Sequence, residues 1–135
     1  MKILPLIISC LLLQSHNPLE SLQWKNRIII VHKVENMGLG GSQLKELKEY
    51  NRQLGERQVV VIEMVLNQVW VNDKLAALDY ATLNQYLQIP EDNFQVLLIG
   101  KDGGIKYRSH RFTPAQDFLD RIDAMPMRQV ELRNQ

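Results

Sequence analysis

The residues best suited to chemistry in this chain of 135 residues are its single cysteine, Cys10, and a histidine, His32, that follows a β-branched run. A histidine at the end of a strand could act as a base or a ligand, because imidazole titrates near neutral pH. A metal would need further ligands, and the sequence has no H-x-x-x-H or C-x-x-C spacing. We therefore predict neither a metal nor a cofactor. His32 is a candidate polar site, and packing or solvent exposure is the alternative reading.

Cys10 lies in an N-terminal segment that predicts export. Lys2 precedes an apolar stretch at residues 3–13, and a polar break follows, which is the layout of a secretory signal. Eleven residues are too few for a membrane-spanning helix, which needs about 20. We expect a signal peptide at residues 1–17 and one domain at residues 18–135, in the periplasm or secreted. The segment "IISC" also resembles a lipobox, so Cys10 is either a lipid anchor or a small hydrophobic residue of a discarded peptide.

Charge and cysteine content limit the function classes. Without the leader and its Lys2, the domain has fifteen basic and fifteen acidic residues and no thiol. Such a balance gives no argument for binding to nucleic acid or to a membrane surface. The expected partner is an unknown protein or a small ligand.

Strand-like and helix-like segments alternate after Trp24. Predicted strands cover residues 27–34, 57–65, 94–99 and 105–110, with a brief extra strand near residues 69–71. One helix is expected from Ser42 as N-cap to Gly55, and a second from Asp79 as N-cap to Pro90. A third helix is expected from Thr113, which forms a capping box with Gln116, to Pro126.

This order predicts an α/β fold of the type β-α-β-α-β-β-α. Helices between the early strands favour parallel crossovers in a central mixed sheet. The turn "GKDGG" joins the last two strands as a terminal antiparallel hairpin, and it lacks the pattern of a phosphate loop.

Several segments resemble known families. "VLLIGKDGGIKYRSHRFTPAQDFLDRI" is similar to the strand, turn, strand and closing helix of thioredoxin-like proteins. "LESLQWKNRIIIV", "LIGKDGGIKYR" and "IDAMPMR" resemble bacterial DUDES-type domains, a thioredoxin-like group of unknown activity, over residues 19–133. The resemblance implies a thioredoxin-like fold and an exported location, but no reaction.

The same resemblance argues against thiol chemistry. Thioredoxin-like enzymes hold a reactive cysteine in the loop after the first strand, where helix N–H groups stabilise a thiolate. Here that loop is "HKVENMGLGGS", in which Ser42 is interpreted as a structural cap. Pro90 is interpreted as a helix stop rather than as the cis-proline of this fold. We predict a domain without catalytic cysteines.

Polar residues near the hairpin and the end of the last helix form the second candidate site. We expect Asp123 and Arg128 to meet hairpin residues, with Lys101 or Arg108 as the basic partner and Asp102 nearby. Such a cluster would either anchor the helix or bind a ligand. The predicted function is a binding or interaction module. The alternative is a non-thiol enzyme or redox-related protein with a polar site near His32, in which His32 would act with Glu35 or Asp123.

Overall fold

A computed structural model of the chain describes residues 17–35 and 38–135. The strands are β1 (Arg27–His32), β2 (Val59–Val65), β3 (Gln68–Val71), β4 (Lys74–Leu75), β5 (Gln95–Ile99) and β6 (Ile105–Ser109). The helices are α1 (Leu39–Glu49), α2 (Asn51–Glu56), α3 (Tyr80–Leu87), α4 (Ala115–Asp123) and α5 (Pro126–Arg133), and a short 3-10 turn lies at Glu20–Leu22. Within the described ranges, no helix has the length and apolar character needed to cross a membrane. Cys10 and residues 1–16 of the predicted leader lie outside these ranges.

All six strands form one mixed sheet in the order β4-β3-β2-β1-β5-β6. β1 and β2 are parallel, whereas β5 is antiparallel to both β1 and β6. The predicted parallel crossovers are therefore correct for the first connection and wrong for the second. The β3–β4 hairpin brings the chain back to the edge of the sheet where β1 and β2 end. α3 crosses at that edge, so β5 must run back beside β1.

β1 is buried on both faces, which explains its uninterrupted apolar sequence. Ile28 and Ile30 face a core that includes Leu83 and Leu87 of α3. Ile29 and Val31 face the opposite core, which is formed with α1, α2 and α4. The domain is thus a sheet covered by helices on both faces, with β1 at its centre.

Two helix starts differ from the predictions. α1 begins at Leu39 after Gly38, whose φ of 75° suits glycine, so Ser42 lies inside the helix and is not its N-cap. Gly55 lies inside α2 and does not end the predicted helix. Asp79, by contrast, is confirmed as the N-cap of α3, because its side chain accepts a hydrogen bond of 2.9 Å from the Thr82 N–H.

The capping box predicted for the third helix is wrong. Thr113 exchanges two hydrogen bonds of 2.8 Å with the buried Gln43 side chain of α1. Glu46, also of α1, accepts a hydrogen bond of 3.0 Å from the Ala115 N–H at the start of α4. A neighbouring helix therefore supplies the capping groups that the local sequence was expected to supply.

The predicted end at Pro126 is also wrong. α4 ends at Asp123, and Pro126 is the first residue of α5. Proline is well suited to that position, since a first-turn N–H would have no partner within the helix. The chain thus continues as a short helix that brings Arg128 and Glu131 back to the sheet.

Candidate functional site

Six charged side chains meet at the end of the sheet where β1 begins, and we call them the basic cluster. They are Arg27, Arg57, Lys101, Asp123, Arg128 and Glu131. β1 and β5 are antiparallel, with Ile28 opposite Ile99, so the start of β1 lies beside the end of β5. This pairing brings Arg27 close to Lys101, and α5 adds Arg128 and Glu131.

Glu131 lies at the centre of the basic cluster. Its two carboxylate oxygens each accept a hydrogen bond of 3.1 Å from Arg27, through Nη1 and Nη2. Lys101 Nζ lies 2.5 Å from the same carboxylate, and Arg128 Nη1 lies 3.5 Å from it. Burial raises the pKa of Glu131, but hydrogen bonds from Arg27 and Lys101 outweigh burial and lower the pKa to about 2. Glu131 is therefore ionised throughout the physiological range.

Asp123 pairs with the other two cations of the basic cluster. Arg57 donates two hydrogen bonds of 2.8 Å to its carboxylate, and Arg128 Nε lies 3.4 Å away. The hydrogen bonds from Arg57 lower the pKa of Asp123, and the same bonds raise the pKa of Arg57. The Asp123 carboxylate thus links Arg57, just before β2, to Arg128 of α5.

The basic cluster contains more positive than negative charge. Four cations share the two carboxylates of Asp123 and Glu131, and three of the cations, Arg27, Lys101 and Arg128, are buried. Glu56 and Asp120 also influence Arg57, but both are exposed. A buried cation is costly unless it is paired, so the cluster favours a further anion.

Arg27 is the member of the basic cluster with a buried side-chain nitrogen that has no hydrogen-bond partner among the described residues. Its guanidinium has five N–H donors, and the contacts within residues 17–35 and 38–135 use three of them: two with Glu131 and one with the Arg57 carbonyl oxygen. Nε is buried and has no acceptor in the described part of the chain. The remaining donors, Nε–H and one N–H of Nη2, lie along one edge of the planar group. That edge is a fork suited to a carboxylate or a phosphate.

A cavity of about 350 Å³ adjoins the basic cluster. Its cationic walls come from Arg27, Lys101 and Lys106, and Asp102 is the acidic residue among them. The remaining walls are Gly100 and the Met125-Pro126-Met127 segment at the N-terminus of α5. Ligand sites commonly have volumes in this range and combine apolar walls with a few polar groups.

The structure separates the residues that the sequence grouped into one polar cluster. Lys101, Asp123 and Arg128 do lie together, but Asp102 is instead paired with Lys106 at 2.8 Å. Asp102 also accepts a hydrogen bond from Gly104 N–H within the hairpin turn. The bond from Lys106, followed by the one from Gly104, lowers the pKa of Asp102. Asp102 therefore stabilises the turn and borders the cavity without contacting the basic cluster.

Arg108 was predicted as a possible basic member of the polar cluster, but the structure places it elsewhere. It lies opposite Leu97 in the β5–β6 pair and donates hydrogen bonds to the carbonyl oxygen of Leu87, at 2.5 Å, and to Gln95 Oε1, at 2.8 Å. The middle of β6 directs this side chain towards the end of α3, because the strand register fixes the direction of every side chain. Arg108 thus stabilises the packing of α3 and cannot reach Asp123.

Sequence reasoning missed Arg27, Arg57 and Glu131. Arg27 was assigned only to a predicted buried strand at residues 27–34, and no partner was sought for its charge, although a charged residue that opens a fully buried run must find one. Glu131 was missed because Pro126 was expected to end the last helix. The spacing of Arg128 and Glu131 by three residues after Pro126 was the available signal for a further helix.

His32 lies at the opposite end of β1 from the basic cluster and is fully buried. Its Nδ1 lies 2.7 Å from the Asn93 carbonyl oxygen, and its Nε2 lies 2.6 Å from the Tyr80 hydroxyl. A carbonyl can only accept, so a neutral imidazole donates from Nδ1 and accepts the Tyr80 proton at Nε2. Both nitrogens are engaged, which leaves no free base. Burial, followed by the charge of Glu91, raises the pKa of Tyr80, which keeps its hydroxyl protonated.

The carboxylates expected to assist His32 do not reach it. Glu35 is exposed, and both nitrogens of His32 already contact other groups. Asp123 belongs to the cluster at Arg27, and five residues of strand span about 17 Å. The rival enzymatic arrangement of His32 with either acid is therefore absent from the geometry of the described residues.

A buried ion pair occupies the region just after β1, where thioredoxin-like enzymes hold their reactive cysteine. Lys33 Nζ lies 2.6 Å from Glu63, and both side chains are largely buried. The Lys33 side chain lies against Gly40, where an added Cβ would come within 2.2 Å of Lys33 Cγ. The aliphatic part of the Lys33 side chain fills this region. The region has no thiol, because Cys10 is the chain's single cysteine.

A second groove, of about 360 Å³, lies between α1 and α2 on one side and β2 and β3 on the other. Its charged residues are Lys48, Glu63 and Asp73. Lys48 pairs with Asp73 at 3.3 Å, and Glu63 pairs with Lys33. Each charge in this groove has a partner. Within residues 17–35 and 38–135, the cavity beside the basic cluster is the one that adjoins a residue with an unsatisfied buried donor.

Comparisons with known proteins agree with the fold. The model of a family described as "Domain of unknown function (DUF4174)" matches residues 18–131. The mitochondrial 2-Cys peroxiredoxin from Plasmodium falciparum has a similar solved structure, with a TM-score of 0.54 and 12% identity over 87% of this chain and 84% of that chain. No curated protein matches. The thioredoxin-like α/β fold is confirmed, whereas the DUDES name and its closing motif stay a prediction.

Proposed function

We propose that this chain, which belongs to the DUF4174 family of domains of unknown function, is a binding module that holds an anionic ligand at the basic cluster. The thioredoxin-like fold here acts as a scaffold. The ligand site lies at the start of β1 and not at its end. This position separates the proposed function from thiol chemistry, for which the domain at residues 18–135 has no cysteine.

One observation carries the proposal: a fully buried arginine, Arg27, has an Nε–H without a partner among the described residues and borders a cavity of about 350 Å³. Buried polar groups in folded proteins are nearly always hydrogen-bonded, so an exception calls for an explanation. A bound anion would satisfy the donor and offset the positive excess of the cluster at once. Anchoring alone would explain the pairs with Asp123 and Glu131, but it would not explain the free donor edge.

The proposal includes an exported location, as the leader pattern at residues 1–17 favours. Cys10 is then either removed with the leader or retained as a lipid anchor. Intact-mass analysis of the chain from its native cells distinguishes these outcomes. A chain that retains residues 1–13 without modification would contradict export.

Binding is tested on the full chain by NMR of arginine Nε–H groups. The Arg27 resonance is identified by its loss in Arg27→Lys, and the chain is then titrated with acetate, benzoate, phosphate and sulfate at constant ionic strength and pH. We expect at least one anion to shift the Arg27 resonance saturably. If none of the four does so, the proposed function is wrong.

Two variants of α5 provide the matched control. Met127 borders the cavity and Val130 does not, although the two are 40% and 44% exposed, respectively. Met127→Glu places a negative charge at the cavity and should abolish the shift. Val130→Glu adds the same charge one turn later and should leave the shift intact. Equal loss in both variants would contradict a site at the cavity.

A further inference from the structure

We infer that the ligand of this cavity is a carboxylate that carries an apolar group, bound through the side edge of Arg27. This inference rests on the proposed function and narrows it to one chemical class. Three features of the cavity support it: the shape of the free donors, the composition of the walls and the volume.

The free donors favour a planar, two-oxygen acceptor. Glu131 occupies the end of the Arg27 guanidinium through Nη1 and Nη2, which leaves Nε–H and the second N–H of Nη2 parallel to each other. Two parallel N–H groups match the two oxygens of a carboxylate. Arg27 would then bind the Glu131 carboxylate at the end of its guanidinium and the ligand carboxylate along its side.

The helix start next to the fork adds to the attraction. α5 begins with Pro126, and its N-cap, Met125, makes no side-chain hydrogen bond to the first turn. The N–H of Met127 therefore has no partner within the helix, as is usual in a first turn. Pro126 and Met127 of the first turn of α5 line the same cavity as Arg27, and the positive end of the helix dipole and the arginine charge both favour negative charge there.

The walls and the volume decide between an inorganic anion and an organic one. The cavity volume of about 350 Å³ far exceeds the space that a single small anion needs. Inorganic phosphate would fill only a fraction of it and would leave water against Met125, Pro126 and Met127. A carboxylate with an apolar group would place its charge at Arg27 and its apolar part against those three residues.

Entry to the fork requires a small movement. Arg27 Nε is buried in this structure, so a ligand reaches it only when a wall side chain moves. Methionine is well suited to such movement, because its side chain is unbranched and adapts to irregular shapes. Met125 and Met127 are the two methionines of the wall.

The inference is tested with benzoate, acetate, phosphate and the neutral analogue benzamide, using the same Arg27 Nε–H resonance. We expect benzoate to bind at least about tenfold more tightly than acetate, because the ring adds buried apolar area. Benzamide should give no saturable shift, because it lacks the charge. Met127→Glu should abolish benzoate binding, and Val130→Glu should preserve it.

The outcomes separate this inference from the proposed function. Phosphate binding without a preference for benzoate would overturn the carboxylate class and leave an anion site. Benzamide binding as tightly as benzoate would show that the cavity recognises the ring alone, which also overturns the inference. No saturable shift with any probe would overturn both proposals.

Discussion

Arg57 and Asp123 are joined by two parallel hydrogen bonds of 2.8 Å each, between residues that are 66 positions apart in the sequence. The pair connects the segment before β2 to the last residue of α4. Arg57 also donates to the Gln53 carbonyl oxygen of α2, at 2.8 Å. One guanidinium therefore joins two helices at the edge of the sheet.

Replacing Asp123 with Asn should destabilise the domain by about 1 to 2 kcal/mol, because Arg57 loses its paired carboxylate and the buried Arg128 keeps only Glu131. We expect the melting temperature to fall by about 5 °C. Asp92→Asn is the control, because Asp92 is exposed and has no ion pair among the described residues. Equal melting temperatures for the two variants would show that the Asp123 pairs contribute nothing to stability.

Acid should weaken the domain through Glu131. Its pKa is lowered from 4.5 to about 2 in the folded chain, so the stabilisation is complete above about pH 4.5 and is lost as the pH falls towards 2. We expect a loss on the order of 1 to 2 kcal/mol, since a quarter of the side chain remains exposed. Glu131→Gln should be less stable than the parent chain at neutral pH. The difference in free energy of unfolding between the two chains, measured by urea titration, should narrow as the pH falls from about 4.5 towards 2. A constant difference would contradict the assignment.

Gly40 and Gly55 should respond in opposite ways to alanine. A Cβ at position 40 would overlap the Lys33 side chain and displace it from Glu63, which should cost about 1 to 3 kcal/mol. At position 55, in α2, a Cβ meets nothing within 4 Å, so alanine should be neutral or stabilise by up to about 1 kcal/mol. Urea unfolding of the two variants measures both effects, and a stable Gly40→Ala variant would contradict the packing at Lys33.

Removing the Tyr80 hydroxyl should destabilise the core around His32. Tyr80→Phe leaves the buried Nε2 of His32 without its donor, and such a loss costs about 1 to 3 kcal/mol. Tyr86, also on α3, is exposed, and Tyr86→Phe should change stability by less than about 0.5 kcal/mol. Comparable stability of the two variants would mean that His32 does not depend on Tyr80.

Much of the fold could be predicted from local patterns. The β-branched runs at β1 and β2, the glycine-containing turn between β5 and β6, and the cap at Asp79 all require only neighbouring residues. The errors arose where residues that are distant in the sequence determine how a helix begins. Gln43 and Glu46 of α1 bind at the start of α4, which removes the need for Thr113 as a cap. No local pattern contains that contact.

The candidate site was only partly predictable for the same reason. Lys101, Asp123 and Arg128 were recognisable as unexplained charges near a turn and a helix end. Arg27 was not, because its burial follows from the pairing of β1 with β5 and from a helix that begins at Pro126. A proline after an amphipathic helix is as compatible with the end of that helix as with the start of a new one. The partners that Arg128 and Glu131 find in the folded chain distinguish the two cases.

The pairing of Arg27 with Glu131 also has a consequence for the order in which the domain assembles. The two residues are separated by 104 positions, so the central strand carries a cation whose partner is synthesised long after it. Until α5 is present, packing β1 between its neighbours would bury an uncompensated charge. Contacts of such long range also form slowly, since a long loop must close first. A chain that is still being synthesised should therefore remain loosely packed until α5 has been added, because α5 supplies the carboxylate that compensates Arg27.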